Sequence, residues 1–282
     1  MTLTVEATGP LALLQDLGRP GHAHLGVPPS GAADVGSHRL ANRLVGNPEE
    51  AVTVEVVLGG LAVRASTLVV VAVTGALTTV RVDGRPTCSH CTLTLRPGSR
   101  LSIDTPSSGL RSYLAVRGGI AAPATLGSSA RDVLSGLGPD PLQAGDELRT
   151  GASSRPLPDT DLAPPRPSDQ ALRLRPGPRL DWFDDAAWGL LLARTWTVRP
   201  ELDRVAVRLE GPALTRRVTD ELPSEGLVRG AVQVPASGQP LVFLADHPVT
   251  GGYPVVAVVD ERSCDRAAQL RPGDRVRFRG DH

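Results

Sequence analysis

The sequence predicts an all-β protein with a few short helices, arranged as two β-domains in tandem. Three observations carry this reading. Thirty glycines and twenty-six prolines in 282 residues suit a chain of many short strands and turns better than a helical one. Strand-length apolar runs and alternations outnumber helical patterns. The same turn-then-strand piece also closes both halves, as Ala144-Gly145-Asp146-Glu147-Leu148 and as Pro272-Gly273-Asp274-Arg275-Val276.

Along the chain, Leu3, Val5 and Ala7 alternate with polar residues as in a half-buried strand. Asp34 to Leu44 reads as a helix, with Leu40 and Leu44 four apart, Asp34 as its N-cap and Gly46-Asn47-Pro48 as its stop. Leu68 to Val73 is an apolar, largely β-branched run of core-strand length. Val80 and Val82 lead into Asp83-Gly84, a pair suited to the positive φ angles of a tight hairpin. Leu93 and Leu95, the turn Arg96 to Arg100, then Leu101 and Ile103 predict a second hairpin. Residues 151–168 carry five prolines without periodicity and read as an extended linker, which places one domain at 1–150 and the other at 169–282. Short helices are expected over Asp184 to Leu192 and over Ser263 to Leu270, the latter capped by Ser263.

Thirty basic residues balance thirty acidic ones, which gives no electrostatic footprint for nucleic acid or an anionic membrane. Every basic residue is arginine. Without lysine the chain forms no Walker-type phosphate loop, no pyridoxal Schiff base and no biotin attachment of its own. The arginine, alanine and glycine bias points to a GC-rich bacterial source. The first residues lack the pattern of a signal peptide, and the longest apolar run is far short of a membrane span. Three cysteines argue against a disulfide framework, so the expected compartment is the cytoplasm.

Several constellations bear chemistry. Cys88-Ser89-His90-Cys91 has zinc-knuckle spacing, but no second ligand pair follows, so the two cysteines read as small side chains near a turn and no metal is assigned. Asp246 and His247 end the apolar run Leu241 to Leu244, a placement where a carboxylate and an imidazole can do acid–base work. Gln15 and Asp16, with Ser30 and Asp34, set an amide, carboxylates and a hydroxyl among glycines, where backbone amides approach a ligand's oxygens. Gln233 and Gln239, followed by Thr250, Gly251, Gly252 and Tyr253, repeat the device. Between them, Arg111, Tyr113 and Arg117 offer guanidinium forks that suit a carboxylate or phosphate.

The stretches Gln15 to Arg19, Pro28 to Asp34, Ala41 to Asn47, Arg111 to Ile120, Leu126 to Ser129 and Gly230 to Pro254 occur in the order and form of one bacterial family. They resemble the family of the 5-oxoprolinase C subunit, also called the biotin-dependent carboxyltransferase or allophanate hydrolase subunit 2 family. The resemblance covers nearly the whole chain. It implies two cyclophilin-like β-barrel domains and heteromeric partners, homologues of the B and A subunits of that enzyme. It also implies an ATP-dependent hydrolysis of 5-oxoproline to glutamate, with ATP and Mg2+ bound together with the partner chains. Phosphorylating the carbonyl oxygen of an unreactive lactam makes it a target for water. In this reading Asp246 orients water or takes a proton, Gly251 and Gly252 offer N–H groups, and Tyr253 closes the pocket. Gln233 and Gln239 meet the lactam amide, while Arg111 or Arg117 holds the substrate carboxylate.

Two departures stand out. Family members tend to carry Arg-Met-Gly where this chain has Arg204-Val205-Ala206, and Gln-Thr-Thr-Gly-Gly-Tyr where it has Pro248-Val249-Thr250-Gly251-Gly252-Tyr253. Two other functions fit the same resemblance. One is the carboxyltransferase component of a biotin-dependent urea or amide carboxylase, its biotin carried on another polypeptide. The other is a non-enzymatic antagonist that binds a kinase-inhibitor homologue of the B subunit. The isolated chain is expected to be inactive.

Overall fold

The computed structural model describes residues 2–153, 156–164 and 171–280. Of the stretch expected to be a linker, residues 154–155 and 165–168 therefore lie outside the described residues. The chain divides into two compact units, each gathered from separate pieces. One comprises Met1–Arg19, Ser30–Asp132 and Gly136–Arg166; the other comprises Pro20–Pro29, Val133–Ser135 and Pro167–His282.

The strands of the first unit are β1 (Thr2–Thr8), β2 (Leu11–Gln15), β3 (Thr53–Val57), β4 (Leu61–Ala65), β5 (Val69–Leu77) and β6 (Val80–Val82). After these come β7 (Arg85–Thr87), β8 (Thr92–Leu95), β9 (Arg100–Ile103), β10 (Ser108–Val116) and β11 (Glu147–Arg149). They form a six-stranded sheet, β11-β1-β4-β9-β6-β7, and a five-stranded sheet, β2-β3-β10-β5-β8. Alternate residues of both sheets meet in one core, among them Leu3, Val63 and Leu101 from one and Val54, Val71 and Leu114 from the other. The opposite face of the five-stranded sheet is covered by helix α1 (Val35–Leu44), whose Ala41 and Leu44 pack with Ala72, Tyr113 and Ala115. Strand β5 is thus buried on both faces, which explains why its sequence is a continuous apolar run instead of an alternation.

Local signals hold well here. Asp34 caps α1 by accepting from the Ser37 N–H at 2.9 Å. Asp83 and Gly84 take φ values of 51° and 77° in the β6–β7 hairpin. The expected second hairpin does not form: β8 pairs with β5, whereas β9 pairs with β4 and β6. The Arg96-to-Arg100 turn carries the chain from one sheet to the other, so that Leu95, Leu101 and Ile103 enter the shared core.

The second unit contains β12 (Ala171–Pro176), α2 (Ala187–Ala193), β13 (Thr195–Val198), β14 (Ala206–Glu210), β15 (Glu225–Gly226) and β16 (Ala231–Gln233). It continues with β17 (Leu241–Phe243), β18 (Thr250–Gly251), β19 (Val255–Val259), α3 (Glu261–Ala267) and β20 (Arg275–Gly280). Seven strands close a barrel in the order β12-β19-β16-β17-β14-β13-β20, sealed by parallel pairing of β12 with β20. Trp196 is fully buried and donates from Nε1 to Leu191 O at 3.1 Å. Gly211 lies against its ring: a Cβ there would sit 2.6 Å from Trp196 Cε3. Helix α3 begins before its expected cap. Asp260 fills that role, accepting from Ser263 N–H, while Ser263 Oγ accepts from Arg173 N–H. Helix α2 likewise runs Ala187–Ala193 instead of beginning at Asp184. Among the described residues no helix is long and apolar enough to cross a membrane.

Candidate functional site

In the first unit the fold brings three expected residues, Asp34, Arg111 and Tyr113, around a carboxylate that no motif marks. Glu55 is fully buried; its Oε2 accepts from the Tyr113 hydroxyl at 2.8 Å and from Ala33 N–H at 3.0 Å. The Arg111 guanidinium pairs with Glu55 Oε1 at 3.4 Å. Tyr113 in turn accepts from Asp34 N–H at 2.8 Å, and burial, helped by the Glu55 charge, raises its pKa well above the usual tyrosine range. It therefore stays a neutral donor. Ser30 enters this loop at a φ of 54°. The network fixes the 30–34 loop and the start of α1.

Asp16 is a loop clamp. Its Oδ1 accepts from Gly18 N–H and Ser128 Oγ, and its Oδ2 accepts from Ser129 N–H, all within 2.6 to 2.7 Å. Gln15 is buried and donates to Arg131 O at 2.8 Å, which leaves its Oε1 unpaired. Arg19, equally buried, donates to Thr125 O and Ala130 O. Arg117 donates to Val45 O at 3.0 Å. Neither arginine expected to hold an anion is open: Arg111 belongs to Glu55, and Arg117 to the end of α1. An open hollow of about 350 Å³ in this unit, lined by Leu14, Ile120, Pro123, Pro139 and Leu142, contains none of the expected residues.

The second unit separates the other candidates. Gln239 is a brace: its Oε1 accepts from Gly211 N–H at 2.9 Å and its Nε2 donates to Gly211 O at 3.0 Å. Each half of its amide is thus bonded to the backbone of Gly211. Asp246 is sealed from solvent and bonded twice to Arg204, and it also accepts from Val133 N–H at 2.9 Å. His247, 3% exposed, faces Pro248 O through Nδ1 at 2.8 Å.

What does assemble is a corner formed by Gln233, Thr250, Gly251, Gly252 and Tyr253. Register sets Gln233 opposite Leu241 and Val255, on the face of the apolar cluster of Ala206, Leu227, Ala231 and Phe243. Its Nε2 donates to Tyr253 O at 2.8 Å. A Cβ on Gly251 would fall 2.8 Å from that nitrogen and 2.9 Å from Leu227 Cδ1, so a side chain there would have to displace the buried amide. Gly251 pairs with Glu225 across β15 and β18, and Glu225 is gripped by Arg179, which holds its carboxyl below the usual range. Thr250 and Gly252 are exposed, and the Tyr253 ring is 49% exposed.

Over that ring lies Arg216, its guanidinium carbon 5.9 Å from the centroid. Arg216 also donates to Val234 O, and its buried Nε has no partner. Nothing in the local pattern singles it out. Glu55 had a signal, a lone carboxylate inside the apolar strand Thr53–Val57, and Arg204 keeps the arginine of the family's Arg-Met-Gly string, which departs at Val205 and Ala206.

Among the described residues no group of three or more His, Cys, Asp and Glu side chains could hold a metal ion. Arg111 and Arg117 are both engaged within the chain, and no step is assigned to a nucleotide on this chain.

Residues 25–280 match the family described as carboxyltransferase domain, subdomain A and B. The C subunit of 5-oxoprolinase from Escherichia coli (strain K12) is 36% identical over 279 residues, covering 98% of this chain and 90% of that protein. The crystal structure of TTHA0988 superposes with a TM-score of 0.90 at 38% identity, over 99% of this chain and 55% of that one. The K. lactis urea amidolyase superposes with a TM-score of 0.91 at 30% identity, over 98% of this chain but only 18% of its own. The present chain thus spans about half of the one solved protein and less than a fifth of the other.

Proposed function

The chain belongs to the carboxyltransferase-domain family, subdomains A and B, and from that premise we propose that it is the C subunit of an ATP-dependent 5-oxoprolinase. It acts with the A and B subunits to hydrolyse 5-oxoproline to glutamate, and it is inactive alone. The observation that carries this reading is the end-to-end match to the C subunit of the Escherichia coli 5-oxoprolinase, which covers nine-tenths of that protein.

Within this reading the substrate meets the Gln233–Tyr253 corner. Arg216 takes the role expected of Arg111 or Arg117, its guanidinium holding the substrate carboxylate beside the Tyr253 ring. Exposed Gly252 offers a backbone N–H to the carbonyl oxygen, where negative charge grows as water adds. Asp246 becomes a positioning residue: paired with Arg204, it fixes the strand end that leads to residues 250–253. ATP is handled by the complex.

A second reading, carboxyl transfer from biotin, is favoured by the family description and by the urea amidolyase likeness. The absence of lysine then requires biotin on another chain.

Co-expression with the neighbouring candidates for the A and B subunits tests the first reading. ATP-dependent glutamate release that needs all three chains supports it. A stable complex that releases no glutamate from 5-oxoproline overturns it in favour of carboxyl transfer or regulation.

A further inference from the structure

The Cys88-Ser89-His90-Cys91 loop plays no part in the function proposed above. Its two cysteines, expected to be no more than small side chains near a turn, are joined in a disulfide. The turn makes this feasible: His90 adopts a φ of 58°, and the two Cα atoms stand 6.0 Å apart. The two sulfurs differ in access, since Cys88 is exposed and Cys91 is 5% exposed.

The loop is tied on two sides. His90 donates its N–H to Val73 O at 2.6 Å, and its Nε2 accepts from Gly75 N–H at 3.2 Å, which anchors it to β5. Burial lowers the His90 pKa, consistent with a neutral ring that accepts. On the other side, Ala163 N–H donates to His90 O at 2.9 Å and Thr92 N–H donates to Asp161 O at 2.8 Å, with Cys91 and Leu162 forming a bridge between them. The disulfide loop is thus the dock for residues 161–163 within the first unit.

We infer that Cys88–Cys91 is a thiol–disulfide exchange site for a dithiol, and that its redox state sets the docking of residues 161–163. A ring of four residues withdraws less chain entropy than a longer one, so it contributes little as a staple. An accessible sulfur joined to a buried one also gives a defined direction of attack. A thiolate of the dithiol attacks Cys88 Sγ and the Cys88–Cys91 bond breaks. The electron pair leaves on Cys91 Sγ, which takes a proton. The dithiol's second thiolate then attacks the sulfur bound to Cys88, closing the reagent's own disulfide and releasing Cys88, which is protonated in turn. The protein gains two electrons and two protons, and the dithiol is oxidised. Cys264 does not compete, because it is buried in the second unit and burial pushes its thiol up to about 11.

The test uses the full chain under native conditions in graded mixtures of reduced and oxidised dithiothreitol, with thiols trapped by iodoacetamide. Peptide mass spectrometry reads the labels, and amide hydrogen exchange is followed over residues 90–95 and 158–164. The expected result is a change from no label to two labels on the Cys88–Cys91 peptide as the mixture becomes reducing, with Cys264 unlabelled. Exchange in both segments rises at least tenfold in parallel, while the barrel of the second unit is unaffected. Three results overturn the inference: a disulfide that survives every mixture, thiols that never oxidise, or reduction without faster exchange in the two segments. The double variant Cys88→Ser, Cys91→Ser shows the fast exchange with or without dithiothreitol; slow exchange in a folded double variant likewise overturns it.

Discussion

Arg204 grips Asp246 with two parallel bonds, Nε to Oδ2 at 2.8 Å and Nη2 to Oδ1 at 3.0 Å, and neither side chain is more than 2% exposed. Such a pair is costly to break from one side, because the remaining charge stays buried without its counterion. Asp246→Asn should destabilise the chain by about 3–5 kcal/mol, whereas replacing both partners with Met and Leu should cost much less. Urea denaturation of the purified chain measures both. Unchanged stability with lost glutamate release in the reconstituted complex would return Asp246 to a direct role in the chemistry.

Gly211 and Trp196 form a second tight relationship. The ring is fully buried and tethered through its Nε1, so it cannot yield to a Cβ placed 2.6 Å from Cε3. Gly211→Ala should cost about 1–3 kcal/mol through overpacking. Gln239→Ala should cost about 1–2 kcal/mol by removing the brace on the same glycine. Near-UV circular dichroism and thermal melts read both, and a wild-type tryptophan signature in Gly211→Ala would disprove the steric argument.

His38 makes stability depend on pH. It is fully buried, with Nδ1 on Thr53 Oγ1 at 2.9 Å and Nε2 on Glu49 O at 3.0 Å, and burial lowers its pKa to about 4. Between that value and the ordinary 6.5, the unfolded chain binds a proton that the folded chain does not. Stability therefore rises with pH across this window, and acidification from pH 6.5 to 4 removes about 3 kcal/mol. His38→Gln should flatten the slope in denaturation curves taken at half-unit steps, and an unchanged slope would assign it to other groups.

Arg216 and Tyr253 should govern substrate binding in the assembled enzyme. Arg216→Gln removes a charge-assisted contact worth about 1.5–3 kcal/mol, so KM for 5-oxoproline should rise roughly 10- to 100-fold while kcat changes little. Tyr253→Leu removes the aromatic face and should raise KM less. A loss confined to kcat would place both residues away from substrate.

Much of the fold was legible locally. The Val69–Leu77 strand, the Asp34 cap and the Asp83-Gly84 hairpin follow from burial period, side-chain acceptors and positive φ, which are properties of neighbouring residues. Strand partners were not legible. The Arg96-to-Arg100 turn looks like any hairpin turn, and only the shared core decides that β8 and β9 join different sheets. The candidate site shows the same divide. Glycines and amides are visible as a string, but whether Gln233 faces Tyr253 or Gln239 faces Gly211 depends on long-range register. Arg216 has no local signature because its meaning comes from a ring distant in sequence.

The parallel seam between β12 and β20 also sets a timetable for biogenesis. As the ribosome delivers the chain in order, β12 and β13 emerge early, yet their common neighbour is supplied only by residues 275–280. Until then both strands present unpaired edges, the surface that invites association with other nascent chains. Closure of this unit therefore waits for residues 275–280, and an arrest of synthesis before residue 275 leaves two sticky borders that β20 otherwise covers.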